Sequence, residues 1–104
     1  MKTKLITRGD RSATAFMPER EDIVNLRVGD MAPDCWGKMS KVVEISFVGE
    51  TCKGMPFVHF YTELSATSRV SGSMVVGIVQ RSMHLTGLLN SAECDAVEQE
   101  MRVA

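Results

Sequence analysis

A chain of 104 residues suffices for one domain with its own core and is too short for two. Apolar residues make up 44% and charged residues 24%, globular proportions that exclude disorder over most of the length. The net charge of -1 gives no global drive toward nucleic acid or an acidic membrane, and three widely spaced cysteines, Cys35, Cys52 and Cys94, make a poor disulfide framework that fits a reducing cytoplasm.

The start, MKTKLITRGDRSATAF, has basic residues but no apolar stretch of signal-peptide length, and nothing later approaches a membrane span. The chain therefore reads as soluble and unsecreted. Lys4 to Thr7 is a candidate edge strand, and residues 8–22 mix charge, small polar residues and a proline without a period. Residues 1–22 are accordingly expected to be an arm or edge strand, with a single β domain over 23–104. Ile23, Val24, Leu26 and Val28 come close to alternation before Gly29 and Asp30 turn the chain.

The clearest strand is Lys41 to Phe47, with Val43, Ile45 and Phe47 on one face and Glu44 and Ser46 on the other. A glycine-marked loop over 48–55 leads into PFVHFYTEL. There Val58, Phe60 and Leu64 are expected inward and His59, Tyr61 and Glu63 outward, and Pro56 sits at a strand start, where its missing N–H does least harm. A polar loop follows over 65–73. A third strand is expected from Met74 to Leu85, apolar on both faces near Gly77.

Residues 91–102, SAECDAVEQEMR, are the convincing helix. Asn90 or Ser91 can cap it, Glu93 sits where a capping-box carboxylate belongs if Asn90 is the cap, and Cys94, Val97 and Met101 form an apolar stripe. The fold class is thus mainly β: a small, strongly bent antiparallel sheet or barrel with one C-terminal helix. Basic residues near the start (Lys2, Lys4, Arg8, Arg11) face an acidic end (Glu93, Asp95, Glu98, Glu100), an attraction that operates within one chain or between two.

Val28, Gly29, Asp30, Trp36, Gly37, Val43 and Ile45 lie in an order that resembles the first hairpin of Tudor and KOW-like small β-barrels, in which a VGD turn, an aromatic-glycine corner and an alternating strand succeed one another. The likeness covers residues 26–47. It implies a bent, closed or nearly closed sheet, and a role in binding nucleic acid or protein segments. Pro33 and the longer loops after Val48 and Leu64 depart from that pattern.

Six residues stand out as ligand-binding candidates. Trp36, with Gly37 beside it, is either a stacking platform or a core plug. His59, Tyr61 and Glu63 point the same way from one strand, a row suited to a polar ligand or proton transfer, or simply a solvated face. Arg69, in the SRVSGS stretch, and Arg81 are the basic candidates, which with Lys38 and Lys41 would line a rim for nucleic acid in a less favoured reading. No catalytic motif is present, and the absence of CxxC, HxxxH and HxH spacings argues against a metal site, so no cofactor is expected. The reading favoured here is a non-enzymatic binding module paired as a homodimer. The alternatives are a small enzyme or ligand-binding protein with a pocket near His59, Tyr61 and Trp36, and a nucleic-acid-binding barrel.

Overall fold

The computed structural model describes residues 1–104. The first seventeen residues are a hairpin, β1 (Lys2–Arg8) against β2 (Arg11–Met17), closed by a tight turn at Gly9 and Asp10. Gly9 has a φ of 64°, which a residue with a Cβ adopts only with strain. This corrects the loop expected over 8–22. The alternation is present in β2, but its inward positions Ala13 and Ala15 are too small to register as an apolar pattern. Ala13, Ala15, Phe16 and Met17 are nevertheless all buried.

After Pro18 comes a short helix, α1 (Arg20–Val24), begun by a hydrogen bond from the Glu19 N–H to the Asp22 carboxylate at 2.7 Å. Ile23 is buried while Val24 and Val28 are exposed, so the near-alternation of 23–28 is a helical turn and a loop, not a strand. The glycine turn lies where expected: Gly29 has a φ of 100°, and Asp30 caps the turn through the Arg27 N–H at 2.9 Å.

The four remaining strands form an antiparallel sheet in the order β3 (Met31–Pro33), β4 (Met39–Glu50), β5 (Pro56–Glu63), β6 (Arg69–Val75). The inner face carries Val42, Val58, Phe60, Thr62 and Met74, packed with Ile23 and Ala32. The β5 alternation matches expectation except at Leu64, which lies beyond the strand and is exposed. In β4 the core residue is Val42, whereas Val43 and Phe47 are exposed and Ile45 is only partly covered. Register shifts at Val42/Glu44 and at Ile45/Phe47 break the two-residue period, and a slip of one residue exchanges the faces of a strand.

The third long strand also begins earlier than expected. Residues 69–75 are β6, and the chain turns at Gly77 (φ 73°) instead of continuing to Leu85. Within β6, Gly72 is the constrained glycine, because a Cβ there would stand 2.6 Å from the Phe60 ring and 3.1 Å from the Pro33 carbonyl. The sheet curls into a half-barrel, and a backbone bond from the Cys35 N–H to the Ser71 carbonyl (2.9 Å) reaches across its open side.

A second core of ten residues joins the N-terminal hairpin to the end of the chain. It includes Ile6, Ala13, Ala15 and Met17 from the hairpin, Leu85 from α2 (Met83–Thr86), and Cys94, Val97 and Met101 from α3 (Ser91–Val103). α3 has the expected capping box: the Asn90 side chain accepts from the Glu93 N–H at 2.8 Å, and Glu93 accepts from the Asn90 N–H at 3.1 Å. The opposite charges of the two ends meet within the chain. Lys4 pairs with Glu100, Arg8 with Glu93 at 3.3 Å, and Lys2 reaches the Met101 carbonyl at 3.0 Å. The architecture is mainly β, 42% strand and 21% helix, and no helix is long and apolar enough to cross a membrane.

Candidate functional site

β5 supplies the outer face of the sheet. Because its inward positions fill the core, strand alternation turns Phe57, His59, Tyr61 and Glu63 to the other side. β4 sets Phe47 opposite His59. The Phe47 and Phe57 rings are 5.6 Å apart, and His59 meets Phe57 edge-on at the same distance. Arg69, directly across from Glu63, lies over the Tyr61 ring at 4.5 Å and pairs with Glu44 at 2.8 Å. Four of the six predicted residues, His59, Tyr61, Glu63 and Arg69, thus share this face. The Phe47–Phe57 contact was missed because the expected β4 register turned Phe47 inward.

Beside the face, between β6 and the segment after it, runs a groove of about 480 Å³. One wall is His59 with Ser71 and Ser73, which are outward neighbours on β6. The opposite wall is residues 78–82, with Cys35 at one end. Gln80 stitches the two sides together: its Nε2 donates to the Pro33 carbonyl at 2.8 Å and to the Ser73 carbonyl at 3.4 Å, while its buried Oε1 has no partner. Arg81 is held from behind by Asp95 at 2.7 Å, with Glu98 at 3.9 Å. Partial burial opposes its charge, but the hydrogen bond to Asp95 and the nearby Cys94 and Glu98 outweigh that, and its pKa lies above the ordinary arginine value. Of the predicted residues, His59 and Arg81 line the groove, and Trp36 and Tyr61 do not. The pocket expected among His59, Tyr61 and Trp36 is therefore not formed by those three.

Trp36 occupies a separate corner, built by Asp34. This buried carboxylate accepts from the N–H groups of Trp36, Gly37 and Lys38 at 2.9, 3.1 and 3.0 Å, and from the Ser40 hydroxyl at 3.2 Å. Gly37 (φ 95°) packs against Ser82, which a Cβ would approach to 2.6 Å. The tryptophan ring is 45% exposed and tilted over His84, 6.2 Å away, so it is a surface ring and not a core plug. Ser71, Ser73 and Gln80 carry no pattern legible in the sequence, since each gains its role from segments distant along the chain, whereas Asp34 acts on the six residues that follow it.

One backbone edge is also exposed. β3 pairs with β4 only over Met39–Lys41, and the turn at Gly29 and Asp30 covers Val42, so β4 has no partner on that side from Val43 to Glu50. Val43, Phe47 and Val48 are exposed along it, at 36%, 55% and 58%. No group of three or more His, Cys, Asp or Glu side chains is placed to hold a metal ion. Searches against protein-family models, curated proteins and solved structures found no match to this chain.

Proposed function

We propose that this protein is a small non-enzymatic interaction module that works as a homodimer, with β4 as the pairing element. The observation that carries the reading is the free edge of β4 from Val43 to Glu50, which bears exposed apolar side chains. Unpaired N–H and C=O groups of such an edge are satisfied by another strand, and an antiparallel strand complements its own copy about a two-fold axis. A two-fold register confined to the free stretch is centred between Ser46 and Phe47 and sets Ile45 opposite Val48, Glu44 opposite Gly49 and Val43 opposite Glu50, so like charges do not meet. The charges of the chain ends are already spent within the chain and add nothing to association.

The likeness to Tudor and KOW barrels enters this reading as analogy, since the curled sheet and its aromatic outer face suit segment binding. Glu44 and Glu63 on that face disfavour nucleic acid as the partner. Three free cysteines, one of them exposed, agree with a cytoplasmic setting.

Size-exclusion chromatography with light scattering tests the pairing. The wild type is expected to be dimeric at micromolar concentration. Val43→Lys, which places a charge on the edge without touching the core, is expected to be monomeric with an unchanged circular dichroism spectrum. A wild type that stays monomeric throughout would remove the dimer.

A further inference from the structure

We infer that the groove beside β6 is a binding site for a small organic anion, a carboxylate or a phosphate monoester carried on an apolar body. The inference rests on the reading of the chain as a binding module and names its ligand class, but not on the dimer: the groove lies against β6, separated from the β4 edge by β5.

Charge is the first argument. No Asp or Glu lines the groove, and its ionisable basic groups are His59 and Arg81. Arg81 is anchored through one nitrogen: Nη2 donates to Asp95 and lies near Glu98, whereas Nε and Nη1 make no hydrogen bond within the chain. Nε and Nη1 lie on different edges of the guanidinium, so with Nη2 engaged each can offer a single charge-assisted donor to an oxyanion.

Hydrogen bonding is the second. The hydroxyls of Ser71 and Ser73 stand two residues apart on the outer face of β6, directly across from Tyr61 and His59, and neither is used within the chain. The Ser71 and Ser73 carbonyls are held by the Cys35 N–H and the Gln80 side chain, so the strand that carries the hydroxyls is already in place and little ordering is needed at binding. The third is shape. Val75 and Ile78 supply apolar wall, and about 480 Å³ lies within the range of small-molecule sites, larger than an inorganic ion needs. Polar groups fix one end of such a ligand, and the apolar wall covers the rest.

The test is titration of the ¹⁵N-labelled full chain with phenyl phosphate, benzoate and the neutral control benzyl alcohol, at constant ionic strength. Saturable shifts of the Ser71, Ser73, Gln80 and Arg81 amides with at least one anion, and none with the alcohol, are the expected result; which anion binds tighter separates phosphate from carboxylate chemistry. Arg81→Gln is expected to weaken binding about tenfold or more, the effect of losing a charge-assisted contact. Asp95→Asn, which removes the competing carboxylate, is expected to leave binding unchanged or tighter, whereas an arginine of purely structural use would lose binding in both variants. Equal response to benzyl alcohol, no saturable shift with either anion, or equal affinity in Arg81→Gln would each overturn the site. The oligomeric state, read in the same samples, reports separately on the dimer.

Discussion

A single carboxylate holds the corner that carries Trp36. Asp34 is buried and accepts four hydrogen bonds, three of them from consecutive backbone N–H groups, so it substitutes for the strand partner that this bend of the chain lacks. Replacing it by alanine strands those donors beneath the surface. Asp34→Ala is expected to cost about 2–4 kcal/mol in a urea unfolding experiment. It should also change the emission of Trp36, the only tryptophan. A loss below about 0.5 kcal/mol, the level of an ordinary surface change, would mean that the carboxylate is not what fixes the corner. The residue scale is also where the sequence was least readable. His59, Tyr61, Glu63 and Arg69 could be placed on one face because three of them lie on a regular strand and Arg69 on its neighbour. Arg81, in the irregular segment after Gly77, needed the packing of α3 to acquire a position, and Trp36 sits on a turn whose exposure no alternation predicts.

Among the elements, α3 was legible in full because every signal in it is local: cap, capping box and a stripe at helical spacing fall within fourteen residues. Its start carries a pH dependence. The Asn90 N–H and then Arg8 hold the Glu93 carboxylate below its ordinary pKa of about 4.5. A carboxylate whose folded pKa is depressed contributes stability that is present above the unfolded value and lost as pH falls through the folded one. Glu93→Gln keeps the cap hydrogen bond and removes the charge. Its melting temperature is expected to lie below that of the wild type at neutral pH, with the gap closing on acidification below the ordinary glutamate range. A gap that is the same at acid and neutral pH would assign the effect to something other than the charge. β4 is the opposite case. Its pattern of alternate apolar residues was visible, but two bulges decide which of Val42 and Val43 faces the core, and a bulge is set by the strand opposite.

For the whole molecule, the two cores make the N-terminal hairpin indispensable. Ile6, Ala13, Ala15 and Met17 supply four of the ten residues of the core that α2 and α3 complete, and the Gln80 N–H donates to the Phe16 carbonyl at 2.9 Å where the two cores adjoin. Removing residues 1–17 is therefore expected to abolish cooperative thermal unfolding and expose α3, which at thirteen residues is marginal alone. A truncated chain that melts sharply, with its helical signal retained, would restore the hairpin to the status of an arm. The fold class was readable from the sequence because mainly-β character is a sum over many strands and survives an error in any one of them. The contribution of residues 8–17 to the core was not, because Ala13 and Ala15 act by being small enough for a helix to approach.

The turn that joins β4 to β5 carries Cys52, an exposed thiol, while Cys94 is buried and Cys35 is partly covered. In the proposed dimer, two β4 strands running in opposite directions send their turns to opposite ends, with some five or six residues at roughly 3.3 Å each separating either Cys52 from the midpoint. Spin labels attached there would report a span of several nanometres across a pair of molecules, and mild oxidation would leave that pair uncrosslinked. A sulfur bridge between these thiols would instead record a chance collision of tips, so one exposed side chain doubles as a gauge of how two molecules meet.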